Sequence, residues 1–204
     1  PSSNDTLYYD FGATIEQVAD PEKEGYTFLG WDVKIPETMP DNSLVVTAKW
    51  SINNYTLTTL VNCVPTTYTY TFGDEVSISD PNVEGYEFKG WNPVIPSTMP
   101  GQNVLVIADM QILQYNFITK VDDDSDTILY NFNEAIVAPE APTKEGHTFK
   151  GWSSAIPATM PAEDVIISAL WETNSYKVYF VSDEDTLQTL SYKYGAKIER
   201  PKSP

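Results

Sequence analysis

The residues that come nearest to a metal site are three aspartates at alternate positions. Asp122, Asp124 and Asp126 have the spacing of the first three ligands of an EF-hand calcium loop. Calcium takes about six to eight oxygen ligands, and that loop supplies them with a Gly at its sixth position and a Glu at its twelfth. Thr127 and Asn133 stand at those two positions here. Because only half of the motif is present, the triplet predicts a solvated acidic turn, with a calcium site as the weaker alternative.

The chain has one histidine, His147, and one cysteine, Cys63. No recurring base or metal ligand accompanies His147, and Tyr26 and Tyr86 stand at its place in related segments of the chain. We therefore interpret His147 as filling an aromatic position rather than a catalytic one. A reactive thiol needs an electropositive environment, which an acidic chain does not offer. We expect Cys63 to be a free thiol, with an intermolecular disulfide as the alternative.

Two triplets match the N-glycosylation acceptor sequence, and their acceptor residues are Asn4 and Asn54. Such triplets are common by chance. They carry glycans only where the chain is made in a secretory pathway that glycosylates proteins.

Composition excludes several classes of function. Twelve Lys and Arg against 29 Asp and Glu give a formal net charge of −17, which argues against nucleic-acid partners and anionic membrane surfaces. One Cys and one His exclude a disulfide framework, a Cys-based zinc site and a multi-His metal centre. No apolar run approaches the roughly 18 residues of a membrane span. We expect no cofactor, no catalysis and no membrane insertion in this segment.

A repeat of about 60 residues organises the chain. The first three copies carry Gly-x-x-Phe-x-Gly-Trp and then Ile-Pro-x-Thr-Met-Pro, and the tryptophans of the first motif, Trp31, Trp91 and Trp152, follow one another at 60 and 61 residues. Each later copy opens with a further Tyr: Tyr55, Tyr115 and Tyr176. These landmarks divide the chain into a copy that lacks its first strand, two complete copies, and the first half of another: residues 1–50, 51–110, 111–171 and 172–204.

Within a copy the apolar residues recur with a period of two, which predicts strands. The period is clearest near the end of each copy, where Leu44, Val46, Ala48 and Trp50 share one face in the first copy. The Ile-Pro-x-Thr-Met-Pro segment is predicted to be a loop or a single helical turn, because Pro cannot donate to a β-ladder. The pattern predicts a mainly β chain with about four strands per copy and little helix.

The recurring large side chains at fixed strand positions allow two interpretations. They form a sugar-stacking platform, or they form the hydrophobic core of each copy, which strand alternation with apolar partners favours. The predicted core residues are Trp31, Trp50, Trp91, Met110, Trp152, Trp171, Phe28, Phe88 and Phe149. The Gly before each repeated Trp is expected either to adopt a positive φ or to allow a close backbone approach.

The string Lys-Glu-Gly-Tyr-Thr-Phe-Leu-Gly-Trp at 23–31, with Ala-Lys-Trp at 48–50, closely resembles the Listeria–Bacteroides repeat of the internalin B-repeat type. The resemblance implies a small β-grasp-like module strung in tandem on secreted or surface-attached proteins, often adhesins. It implies no activity and no fixed ligand. His147 in place of Tyr and Met110 in place of Trp depart from the pattern.

Two functions follow as hypotheses. The first is a non-catalytic stalk, spacer or fibre segment of an extracellular, cell-surface or particle-surface protein, whose partners are its neighbouring units or other copies in a fibre. The alternative is a multivalent array that binds surface glycans or proteins. The residues that follow Met-Pro differ between copies, which favours the spacer.

Overall fold

The computed structural model describes residues 6–182 and 185–199, without the side chains of residues 185 and 186. It confirms the prediction of a mainly β chain: twelve strands and no helix lie among these residues. The strands are β1 (Tyr26–Trp31), β2 (Ala48–Ile52), β3 (Asn54–Val61), β4 (Val64–Thr71), β5 (Tyr86–Asn92), β6 (Val104–Ile112), β7 (Gln114–Val121), β8 (Asp124–Asn131), β9 (His147–Trp152), β10 (Val165–Thr173), β11 (Ser175–Ser182) and β12 (Asp185–Lys193).

The chain forms two compact units. One holds the described residues up to Pro81 together with Phe88–Met110, and the other holds Asn82–Glu87 and the described residues from Gln111 onward. The first contains the two-stranded sheet β1-β2 and most of a four-stranded sheet of order β4-β3-β6-β5. The second contains a four-stranded sheet of order β8-β7-β10-β9 and the hairpin β11-β12.

Both four-stranded sheets have the same mixed topology. Each opens with an antiparallel hairpin, β3-β4 or β7-β8. The first strand of the hairpin also pairs in parallel with the last strand of the same sheet along the chain, β6 or β10, with Leu57 opposite Val104 in one sheet and Phe117 opposite Val165 in the other. In the second sheet, β9 pairs antiparallel with β10. Because β8 and β9 both run antiparallel to the central parallel pair, the segment that joins them, residues 132–146, must cross from one end of the sheet to the other.

The strand predicted to start at Leu44 starts only at Ala48, so that part of the prediction is wrong. In the complete copies the corresponding strands begin at Val104 and Val165, where they pair in parallel with β3 and β7. The described residues of the first copy contain no strand that corresponds to β3 or β7. Without a ladder partner, Leu44 lies in an irregular segment and is 36% exposed.

Each four-stranded sheet buries one face in a small apolar cluster. Leu57, Met99 and Val106 are buried in the first. Phe117, Tyr130, Met160 and Ile167 are buried in the second. The two methionines come from the Ile-Pro-x-Thr-Met-Pro segments, which form loops and not a helical turn. Their buried side chains therefore complete the apolar cluster of each sheet.

The glycine before each repeated Trp has a positive φ: 106° at Gly30, 145° at Gly90 and 119° at Gly151. A Cβ at these positions would meet nothing within 4 Å. Of the two explanations open from the sequence, backbone conformation is therefore the correct one. At Gly30 the register with β2 also shifts, as it does where a β-bulge interrupts a ladder.

Candidate functional site

The acidic triplet lies at the tip and on the second strand of the β7-β8 hairpin. Asp122 occupies the turn, and its Oδ1 lies 2.6 Å from Nζ of Lys144. Asp124 and Asp126 belong to β8, opposite Val121 and Thr119. An extended strand does not wrap three carboxylates around one ion. Among the described residues no group of three or more His, Cys, Asp or Glu is placed to hold a metal.

Cys63 is exposed at the tip of the β3-β4 hairpin. It forms a two-residue turn with Asn62, and both residues have positive φ, 46° and 65°. This is the geometry of a type I′ turn, in which Asn followed by Gly is the preferred pair. Asn54 begins β3 and is exposed, while Asn4 lies outside the described residues.

The nine predicted core residues are all half-buried, and none belongs to the most buried set. Trp91 and Trp152 pack against the two buried clusters. The remaining Trp and Phe residues of this set form edge-to-face ring contacts, with Phe28 placed 5.4 Å from Trp31 and 5.5 Å from Trp50, centroid to centroid, whereas Met110 has no ring. The predicted core residues therefore border the core, and its centre is filled by Met and aliphatic side chains, joined in the second sheet by Phe117 and Tyr130.

The connection between one copy and the next has the same geometry each time it occurs. A single residue, Asn53, Leu113 or Asn174, separates the last strand of one copy from the first strand of the following copy. The backbone N–H of that residue donates to the carbonyl of a glycine that lies one residue before a strand, at N···O distances of 2.9, 2.8 and 2.8 Å. The glycines are Gly25, Gly85 and Gly146.

The carbonyl of the same connecting residue accepts a second hydrogen bond. Its donor is the backbone N–H of the aromatic residue that follows the next hairpin, Phe72, Phe132 or Tyr194, at 2.9, 2.8 and 2.8 Å. The connecting residue thus bonds to a copy on either side of it. We call each set of glycine, connecting residue and hairpin-end aromatic a junction.

Two aromatic rings meet in every junction. The ring that follows the glycine lies edge-on to the hairpin-end ring, with centroids 5.9, 6.1 and 5.9 Å apart. The pairs are Tyr26 with Phe72, Tyr86 with Phe132, and His147 with Tyr194. His147 therefore takes the aromatic position, and its Nδ1 lies 2.8 Å from the carbonyl oxygen of Glu145.

Electrostatic features of the junctions are modest. In the last one, the Glu145 carboxylate, more than any other cause, raises the pKa of the Tyr194 phenol above its ordinary value. In the first, Nζ of Lys23 lies 3.7 Å from the centroid of the Tyr26 ring, a cation–π contact. Nothing in a junction resembles an acid–base pair or an activated nucleophile. The arrangement joins consecutive copies through backbone hydrogen bonds and ring contacts.

The sequence reasoning missed the acceptors that tie each parallel strand pair together. Asn103 Oδ1 accepts the backbone N–H of Thr56 at 2.8 Å, and Asp164 Oδ1 accepts that of Asn116 at 2.7 Å. Both acceptors are short polar side chains at the same place in their copies, directly before a strand. That shared character was the only signal in the sequence that could have found them.

The sequence profile of the Listeria-Bacteroides repeat domain matches residues 2–57 and 115–164, just over half of the chain. The chain is therefore an array of tandem repeats of a small β domain. The chain belongs to the Listeria–Bacteroides repeat family, as the resemblance of its motifs predicts.

Curated relatives share the repeats within longer proteins. Internalin H of Listeria monocytogenes is 30% identical over 178 residues, covering 83% of this chain and 28% of that protein. A protein of Evansella cellulosilytica named as a Gly-rich membrane protein is 26% identical over 228 residues, covering 96% of this chain and 26% of its own length. Another membrane protein of the same organism is 25% identical over 205 residues, covering 84% and 30%. The chain thus spans less than a third of the length of these relatives.

Within the part of the chain that the structure describes, no helix is long and apolar enough to cross a bilayer.

Proposed function

We propose that this chain is a non-catalytic spacer in the stalk of an extracellular or cell-surface protein. The observation that carries the proposal is the junction, which occurs three times with the same two backbone hydrogen bonds and the same edge-on ring contact. A connection of one hydrogen-bonded residue leaves far less freedom than a Gly/Ser linker. In repeat proteins, such nearest-neighbour contacts add along the array.

The surface location rests on the relatives. One is named as an internalin and two as membrane proteins. The net charge of −17 is compatible with a solvated, extended segment and unfavourable for nucleic-acid partners. The partners of each module are then its neighbours in the same polypeptide, and each complete module is a β-grasp-like unit whose central strands run parallel.

One observation favours the alternative of a multivalent binding array in an adhesin. Leu105 and Ile166 stand at matching positions on the outer faces of the two four-stranded sheets and are 54% and 52% exposed. Apolar side chains that recur on exposed faces are typical of contact surfaces. Such contacts gain affinity when several copies engage one ligand surface.

A display experiment tests the spacer. The chain, and a tandem duplicate of it, are placed between a cell-surface anchor and a fluorescent tag, and the height of the tag above the membrane is measured. The control is a Gly/Ser segment of equal length, for which a random coil gives an end-to-end distance of about 80 Å. We expect the tag to stand higher than in the control and to double its added height on duplication. A height no greater than that of the Gly/Ser control would contradict the spacer.

Binding of the same chain to a glycan microarray tests the alternative. Saturable binding that is lost in a Leu105→Ser, Ile166→Ser double variant would establish the array as a binding module. Absence of binding, or binding that the double variant retains, would contradict the proposal that these two side chains form a binding surface.

A further inference from the structure

The glycine of each junction lies directly against an aromatic ring. Gly25, Gly85 and Gly146 are buried and have φ values of 76°, 75° and 69°. A Cβ added at any of the three would overlap ring carbons of the hairpin-end aromatic. The rings concerned are those of Phe72, Phe132 and Tyr194.

Other glycines with positive φ differ in this respect. Gly73 has a φ of 82°, close to the 75° of Gly85, yet a Cβ on Gly73 would meet nothing within 4 Å. Gly90 is equally free of neighbours. Positive φ therefore does not explain why the junction position is glycine, since another residue could bear that strain alone, as Asn133 does at 66°. The close ring accounts for the difference.

We propose that this glycine, together with the aromatic residue after it, is a docking surface whose specific occupant is the hairpin-end aromatic of the following module. Occupation couples the stability of consecutive modules. The partner is defined by its chemistry: a planar aromatic ring whose own backbone N–H reaches the connecting residue.

The geometry explains why both sides of the contact are needed. The ring rests on the glycine while its edge-on partner, Tyr26, Tyr86 or His147, covers its side. Any side chain at the glycine would move the ring, and with it the N–H that bonds to the connecting residue. Loss of the ring would leave the glycine and its carbonyl open to water.

The coupling has a direction along the chain. Each complete module offers its glycine surface to the module that follows it and inserts its own hairpin-end ring into the module that precedes it. Removing one ring therefore weakens a contact with the preceding module while leaving the next junction intact. This inference concerns contacts within the polypeptide and holds whether or not the array acts as a surface spacer.

Amide hydrogen exchange on the full 204-residue chain tests the coupling. The readouts are the N–H groups of Leu113 and Phe132, which donate to Gly85 and Leu113 at 2.8 Å. We expect Gly85→Ala to reduce their protection by at least about tenfold. The matched control is Gly73→Ala, which imposes the same left-handed strain without a neighbouring ring and is expected to leave both amides nearly unchanged.

A second variant keeps the proposal testable if Gly85→Ala disturbs folding more widely. Phe132 is half-buried and lies outside the buried cluster of its sheet, so Phe132→Ala is expected to leave β7 protected while Leu113 loses protection. In the Phe132→Ala background, a further Gly85→Ala change should cost no more than Gly73→Ala does, because the clash has been removed. Equal effects of Gly85→Ala and Gly73→Ala at Leu113, or full additivity of the Gly85 and Phe132 changes, would overturn the proposal.

Discussion

The carboxylate of Asp164 accepts two hydrogen bonds from Asn116, 48 residues earlier in the chain. The backbone N–H donates to Oδ1 at 2.7 Å and the side-chain amide donates to Oδ2 at 3.1 Å. Asp164 directly precedes β10, and Asn116 is the third residue of β7. The contact therefore fixes the two strands where their parallel ladder begins.

This contact predicts an acid-sensitive module. The backbone N–H of Asn116, followed by its side-chain amide, holds the pKa of Asp164 below its ordinary value of 3.8. A carboxylate with a lowered pKa stabilises the fold above its ordinary pKa, and that contribution is lost as pH falls through the folded-state value. Asp164→Asn, which copies Asn103, keeps an acceptor that does not titrate. We expect the melting temperature of the parent to fall more than that of the variant between neutral pH and about pH 3. Parallel falls for the two proteins would contradict this.

Two leucines on neighbouring strands test the assignment of the buried face. Leu57 is 0% exposed, and Leu105, the residue after its ladder partner Val104, is 54% exposed. Leu57→Ala should cost about 2–5 kcal/mol of unfolding free energy, because it removes buried methyl groups and leaves a cavity. Leu105→Ala should stay within about 0.5 kcal/mol. Urea unfolding of the two variants is the measurement, and similar losses would show that the buried face is misassigned.

The turn at Cys63 predicts a stabilising substitution. With φ at 65°, a non-glycine residue bears a cost of roughly 1–2 kcal/mol. Cys63→Gly restores the Asn-Gly pair that type I′ turns prefer and should raise stability by about 1 kcal/mol. Cys63→Ser removes the thiol without relieving the strain and should leave stability nearly unchanged. If both variants unfold at the same urea concentration, the turn is not strained.

The weak calcium candidate is tested directly by thermal melting. Asp122 is paired with Lys144, and Asp124 and Asp126 lie along a strand, so we expect melts in calcium and in chelator to coincide. Asp124→Asn serves as the control, since it removes one candidate ligand. A drop in melting temperature in chelator that Asp124→Asn abolishes would establish the calcium site.

The strand pattern was predictable because alternation and the fixed spacing of the repeated Trp are local signals. Met99 and Met160 were missed as central core residues because they lie in Pro-containing loops that have no apolar period. The strand predicted at residues 44–50 begins later than predicted, at Ala48, because alternation at Leu44 does not show whether a ladder partner is present.

The junctions were only partly predictable. The shortness of the connection between copies is visible in the sequence, since only residues 111–114 lie between Met110 and Tyr115. The hydrogen bonds through which Leu113 joins two copies are not visible there, because they are made by the backbone. The contact of Gly85 with Phe132 links residues 47 positions apart, and only the pairing of the strands brings them together.

Small-angle X-ray scattering of arrays in which residues 51–171 occur once, twice and four times tests most directly the claim that the junctions make a stiff repeat array. Neighbour contacts of fixed geometry propagate along the chain, so we expect the maximum dimension nearly to double with each doubling of the number of modules. Growth of about 1.4-fold per doubling, the square-root dependence of a flexible chain, would contradict the account.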